Sequence, residues 1–246
     1  MSEVLVVSDG AAAAQAAAEL FVESVAGAAA ARGRALVALT GGSSAAPLYA
    51  ALREEPWRSR VPWERLELFC GDERCVPESD PRSNYGLAAR ELFSRTPVEA
   101  ARLHRLRGEA LDLEEEAKRA EAELRDVAGH PCRLDLMLLG LGPDGHVLSL
   151  FAGVESSSLR GDAKLVWAVE APVALEPKVP RLTFSPTMLV TARTVVLQAS
   201  GSAKADALAR ALRGPDDLVG CPAQWLRHAS GRVVVVADSA AAAKLA

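Results

Sequence analysis

The stretch 134-LDLMLLGLGPDGHVLSLF-151 decides how the rest of the chain is read. Its apolar run, 134–139, has the length of a strand buried on both faces. The chain then turns through Gly140, Gly142, Pro143, Asp144 and Gly145, and His146 follows at once. Beyond it, the apolar spacing of Val147, Leu148, Leu150 and Phe151 predicts the opening of a helix. A histidine is thereby set at the carboxyl end of a central strand, the edge where open α/β sheets bind ligands.

The flanking sequence repeats this alternation. Strands are predicted at 4–8, 35–40 (ALVALT), 66–69 (LELF), 103–106, 165–169, 194–199 (TVVLQA) and 233–237. Between them lie helical stretches: an Ala-rich run over 11–31 with Asp9 as its cap and Gly33 as its end, 47–52, 84–93, a charged segment 109–128, one starting at Ser185-Pro186, and one from Lys204 to Leu212. A short terminal helix capped by Ser239 closes the pattern. Strand–helix alternation of this kind predicts an α/β fold: an open, largely parallel, doubly wound sheet flanked by helices, in a modified Rossmann-like arrangement. Residues 1–246 read as a single domain, with the Pro-rich link 171–180 as the only candidate hinge.

Several strand ends carry chemistry. Gly41-Gly42-Ser43-Ser44 follows the 35–40 strand and precedes a helix, which is how α/β proteins cradle a phosphate, though an ordinary βα turn has the same look. The 66–69 strand runs into Asp72-Glu73-Arg74, read as a charged turn at the ligand edge. Lys204 falls in the first turn of its helix, where a cation opposes the helix dipole and an anionic ligand gives a reason for it.

Composition narrows the function classes. Half of the 246 residues are hydrophobic, 24% are charged and the net charge is −4, so no basic nucleic-acid surface is expected. Cys70, Cys75, Cys132 and Cys221 lack C-x-x-C spacing, which argues against a zinc cluster and for reduced thiols. The opening MSEVLVVSDG has no basic segment ahead of an apolar core, so no signal peptide is expected, and the Ala-rich run is too polar to span a membrane. A cytoplasmic location follows as the expectation.

Gly140-Leu141-Gly142-Pro143-Asp144-Gly145 literally matches the G-x-G-x-x-G dinucleotide pattern. Pro143 stiffens the loop, Asp144 puts a negative charge where a pyrophosphate would lie, and no strand ending in Asp or Glu follows about 20 residues on. His146 fits acid–base chemistry better: an imidazole exchanges protons near neutral pH, and Asp144 is close enough in sequence to orient it.

The strings TGGSS (40–44), GDERCVPESDPRSNYG (71–86), LGLGPDGHVLSLF (139–151) and PRLT (180–183) occur in the order and spacing of the 6-phosphogluconolactonases, within the glucosamine-6-phosphate isomerase/deaminase fold group, and the chain resembles that family over essentially its whole length. The resemblance implies hydrolysis of 6-phospho-D-glucono-1,5-lactone to 6-phosphogluconate in the pentose phosphate pathway, with a phosphosugar lactone as ligand, no required metal or organic cofactor, and a monomer or small homo-oligomer. By position it makes His146 the family's histidine, with Asp144 beside it. Gly41, Gly42 and Ser43 become the phosphate loop, and Arg74, Arg181 and Lys204 its cationic partners. Asp72 and Asn84, within the same strings, are further candidates for substrate contact, with Asp72 and Glu73 either touching substrate or bracing Arg74. The family commonly has Thr-Ala or Thr-Cys where Val147 and Leu148 stand, and often proline at the position of Ala45.

The mechanism expected from this constellation has neutral His146 taking a proton from water that attacks C1, then returning it to the leaving ring oxygen. His146→Ala is expected to act on kcat, and Arg181→Ala mainly on binding. Two rivals remain at this stage. An aldose–ketose isomerase/deaminase would use Asp72 as the C2 base, but Asn-Glu-Pro-Gly is missing after the G-H pair. A non-enzymatic sugar-phosphate sensor is the other.

Overall fold

The computed structural model describes residues 2–153, 164–171 and 176–245. The Ser-rich tract after Gly153 and the middle of the 171–180 link lie outside the described residues. Among the described residues ten strands alternate with helices: β1 (Glu3–Val7), α1 (Gly10–Arg32), β2 (Ala35–Leu39), α2 (Ala45–Leu52), α3 (Trp57–Arg60), β3 (Leu66–Cys70), β4 (Asp72–Arg74), α4 (Asn84–Glu91), β5 (Leu103–His104), α5 (Leu113–Ala128), β6 (Leu136–Gly140), β7 (Val166–Val169), β8 (Arg181–Phe184), α6 (Pro186–Thr191), β9 (Thr194–Ala199), α7 (Ala205–Arg213) and β10 (Arg232–Asp238).

Seven strands form one sheet in the order β1-β10-β9-β6-β2-β3-β5, and every adjacent pair is parallel. Strand side chains alternate between two cores, as the period of a strand requires. Val37, Leu39, Leu136 and Leu138 face the layer of α1 and α2, with Phe21, Leu48 and Tyr49. Leu36, Ala38, Met137 and Leu139 face the layer of α5, α6 and α7, with Leu124, Met188 and Leu208. Burying both faces is what makes β2 and β6 continuous apolar runs rather than alternating ones. Local signals set the ends of α1: the Asp9 carboxylate accepts from Ala12 N at 2.9 Å, and Gly33 ends the helix at φ 80°.

The connections leaving β2 and β6 diverge. β2 leads to β3 on one side, β6 eventually to β9 on the other, and the two strands pair over only Val37↔Leu136 and Ala38↔Met137. That divergence is a topological switch point, with a crevice at the strands' carboxyl ends.

The structure departs from the sequence reading in four places. Asp72-Glu73-Arg74 is a strand, β4, rather than a turn: it pairs antiparallel with β8, which pairs with β7, in a separate three-stranded sheet. Its pairing strand lies about a hundred residues away in sequence, so no local periodicity announces it. No helix follows His146. Leu150 N donates to Val147 O at 3.0 Å, closing a turn in which Leu148 has φ 54°, incompatible with a right-handed helix. Those apolar residues are core, held by tertiary contacts. The charged helix begins at Leu113, where the Asp112 carboxylate accepts from Glu114 N and Glu115 N at 3.0 Å each. The C-terminal segment forms turns, capped by Asp238 through Ala241 N at 2.8 Å, while the Ser239 hydroxyl donates to Ser8 O.

Candidate active site

The carboxyl ends of β2, β3, β6 and β9, neighbours in the sheet, surround a cavity of about 290 Å³. Gly41, Gly42, Ser43, Asp72, Arg74, Asn84, His146, Arg181 and Lys204, drawn from segments scattered over the chain, all line it. Asp144 is the one sequence-derived candidate that does not line it; it stands behind His146.

The loop after β6 is built to aim the imidazole. Gly142 N donates to His146 O at 2.8 Å and Gly145 N to Gly142 O at 3.1 Å, with Gly145 at φ 96°. A methyl group on Gly142 would meet His146 Nδ1 at 2.0 Å, so only glycine lets the ring fold back over the loop. Nδ1 lies 2.6 Å from Asp144 Oδ1, and the Phe151 ring packs at 5.4 Å, tilted by 59°. Burial pushes the Asp144 carboxyl up, but the hydrogen bond from His146 and its charge outweigh this and hold it below the usual range. An ionised carboxylate only accepts, so Nδ1 is the nitrogen that donates to it; in the neutral imidazole this leaves the lone pair on Nε2. From outside, the Arg210 guanidinium donates to Asp144 O at 2.5 Å and Gly220 O at 3.0 Å, tying the loop down.

The opposite wall comes from β4 and the N-terminus of α4. Glu73 is buried and accepts from Arg74 N, Asn84 N and Tyr85 N, all at 2.7 Å, and from the Ser83 hydroxyl at 3.0 Å. Burial raises its carboxyl against those four bonds. Glu73 is therefore the brace of this wall, acting on backbone amides rather than on the Arg74 guanidinium. Asp72 instead faces the cavity. Gly41 is bare because a Cβ there would fall 1.8 Å from Asn84 Oδ1, and Gly42 takes φ 77°.

Three cations converge on the cavity, and none of them forms an ion pair among the described residues. Arg74 and Arg181 are direct partners in the β4–β8 ladder, an arrangement in which like charges repel. Burial and then the Arg74 charge lower the Arg181 guanidinium, and burial lowers Lys204, with Asp144 opposing. Arg74 Nη1 donates to Arg82 O at 2.7 Å. Arg181 also holds its own strand while it lines the cavity: Nη1 donates to Val179 O and Nη2 to Pro177 O at 2.7 Å, so both terminal nitrogens clamp the strand's approach.

Sequence reasoning passed over several cavity or support residues. Ser149, Leu148 and Phe151 were absorbed into the expected helix, whose absence sends them to the site. Glu176, in the Pro-rich link, lines the cavity as well. Among the described residues no three His, Cys, Asp or Glu side chains gather as a metal site, and the four cysteines are free thiols.

Known proteins agree with this architecture. The chain is 36% identical over 243 residues to a 6-phosphogluconolactonase of Streptomyces coelicolor, covering 94% of this chain and 90% of the relative. It is 34% identical over 218 residues to a 6-phosphogluconolactonase of Synechocystis, covering 87% and 86%. The solved 6-phosphogluconolactonase from Trypanosoma brucei superposes with a TM-score of 0.87 at 25% identity, covering 100% of this chain and 99% of that one. The family model described as glucosamine-6-phosphate isomerases/6-phosphogluconolactonase matches residues 8–235, and the chain belongs to that family.

Proposed function

We propose that this protein hydrolyses 6-phospho-D-glucono-1,5-lactone to 6-phospho-D-gluconate, the lactone-opening step of the pentose phosphate pathway, with His146 as general base. The observation that carries the reading is the cavity that joins a carboxylate-oriented imidazole to three cations without carboxylate partners. The identity of the relatives supports the choice of substrate.

A lactone is an activated ester, so water suffices as nucleophile once a base stands beside it. His146 Nε2 takes a proton from water as its oxygen attacks C1, and Asp144 stabilises the imidazolium that forms. The C1 oxyanion needs donors placed in advance, a role open to backbone N–H groups of the cavity loops or to a nearby cation. As the C1–ring oxygen bond breaks, the imidazolium returns the proton to the ring oxygen, which becomes the C5 hydroxyl. Arg74 and Lys204, with the Gly41–Gly42–Ser43 loop, hold the phosphate, and this remote binding energy orients C1. Arg181 supports the same wall by fixing residues 177–180. A doubly charged phosphosugar does not cross a bilayer unaided, and the proposal carries with it a cytoplasmic location beside such substrates; no described helix is long and apolar enough to cross a membrane.

The test is lactone opening with substrate generated in situ, spontaneous hydrolysis subtracted and EDTA present, for wild type and His146→Ala. Acceleration by wild type alone is expected. Release of ammonia from glucosamine 6-phosphate, without lactone opening, would decide for the isomerase/deaminase branch and Asp72 as its base.

A further inference from the structure

Two acidic residues line the cavity, and while Glu176 is exposed, Asp72 is buried and phosphate binding cannot explain it. Asp72 is 8% exposed and forms no ion pair among the described residues. A carboxylate repels a phosphate and accepts hydrogen bonds only, so its place in a sugar-phosphate cavity calls for donors from the sugar. Two of its acceptor positions are filled by the protein. Oδ1 accepts from Asn84 Nδ2 at 3.2 Å, and Oδ2 accepts from the Ser149 hydroxyl at 2.7 Å. An ionised carboxylate has about four lone-pair sites, so capacity remains for the ligand.

Ser149 is itself 1% exposed and pinned from the other side: its backbone N donates to Thr183 Oγ1 at 3.2 Å, and Thr183 is the ladder partner of Asp72. It reaches Asp72 only because the chain after His146 turns instead of continuing as a helix. That turn puts Leu148, a bulky residue, at φ 54°, a conformation usually left to glycine or asparagine. Leu148 fills the space against Gly71, where a Cβ would meet its Cδ2 at 2.9 Å. Strain of this kind persists where surrounding contacts fix it, commonly at functional sites. Here it joins the histidine at one wall to the carboxylate at the other through the short segment between His146 and Ser149.

We propose that Ser149 is a positioning residue that fixes Asp72 as the acceptor for a ring hydroxyl of the sugar substrate. This rests on the lactonase reading of the cavity and deepens it: His146 acts on C1, while the Ser149–Asp72 pair recognises a hydroxyl at C2, C3 or C4. The role is recognition, so it is felt in substrate affinity and not in proton transfer.

The experiment measures kcat and KM of wild type, Ser149→Ala, Asp72→Ala and the double variant, with the parent lactone and its 2-, 3- and 4-deoxy counterparts. Ser149→Ala is expected to raise KM for the parent lactone about tenfold with kcat within about threefold, the size of one lost hydrogen bond to a charged group. One deoxy lactone is expected to show the same penalty with wild type and little further penalty with Ser149→Ala. In the Asp72→Ala background, removing the Ser149 hydroxyl is expected to add nothing, because the two act as a unit. A lowered melting temperature with unchanged KM, or penalties that multiply in the double variant, would overturn the proposal. If wild type fails to open the lactone, the lactonase reading fails by itself. Calorimetric binding of 6-phosphogluconate then decides the pairing: weaker binding by Ser149→Ala sustains it, and equal binding sinks it.

Discussion

His146 Nδ1 and Asp144 Oδ1 stand 2.6 Å apart, with only Gly145 between the two residues in sequence. The contact is local, so it forms with the loop and does not wait for a ligand. It sets the imidazole's proton on Nδ1 and leaves Nε2 to the cavity, the arrangement a general base needs.

His146→Ala is expected to lower kcat by about 10²–10⁴, the usual contribution of a positioned proton-transfer group, with KM changed little. Asp144→Asn keeps the shape but removes the fixed acceptor, and kcat should fall by at least about tenfold. Steady-state kinetics on the lactone checks both. Wild-type kcat in His146→Ala would remove the base assignment.

Gly142→Ala tests the loop without touching a reacting group. The added methyl would lie 2.0 Å from His146 Nδ1 and 2.6 Å from Asp144 Oδ1, so the ring or the loop must shift. Activity should drop by about a hundredfold while the protein stays folded, since a misplacement of about 1 Å is worth that much. Circular dichroism beside the assay separates a moved histidine from a lost fold, and near-normal activity would show that the close fit is unnecessary.

Arg74, Lys204 and Arg181 should separate by phenotype. Arg74→Ala and Lys204→Met are expected to raise KM and to weaken protection of the fold by inorganic phosphate, because an anion relieves uncompensated positive charge at the cavity. Arg181→Ala removes the donors to Pro177 O and Val179 O, so it should lower the melting temperature as well as raise KM. Thermal melts with and without phosphate distinguish them. An Arg181→Ala protein as stable as wild type would return Arg181 to a purely ligand-binding role.

The Asp144 carboxyl gives a pH signature. Burial opposes its charge, but the hydrogen bond and charge of His146 hold it below the ordinary carboxylate range. A carboxyl that titrates lower in the folded than in the unfolded chain contributes stability above its unfolded value, and that contribution is lost as pH falls through the folded value. The melting-temperature gap between wild type and Asp144→Asn should therefore be widest near neutral pH and shrink on acidification. A gap that stays constant with pH would mean that the ionisation of Asp144 contributes nothing to folding.

The sequence by itself determined whatever depends on neighbours along the chain. Apolar runs at 35–40, 134–139 and 194–199 became β2, β6 and β9, because strands buried on both faces need uninterrupted apolar residues. Asp9 and Gly33 marked the ends of α1, and the glycine turn ahead of His146 placed the histidine at the ligand edge. Only the tertiary structure decided which distant segments meet. Asp72 and Ser149 lie 77 positions apart, and their hydrogen bond exists because β4 and the turn after His146 share a wall. Arg74 and Arg181 became cross-strand partners through a sheet that no local periodicity signals, and the Arg181 guanidinium turned to carbonyls that only its own strand's approach supplies. The apolar spacing of Val147 to Phe151 resembled a helix because burial alone selects apolar residues. Whether they are buried by a helix face or by a strained turn is settled by what packs around them, and here Gly71 and the antiparallel sheet leave room for the turn.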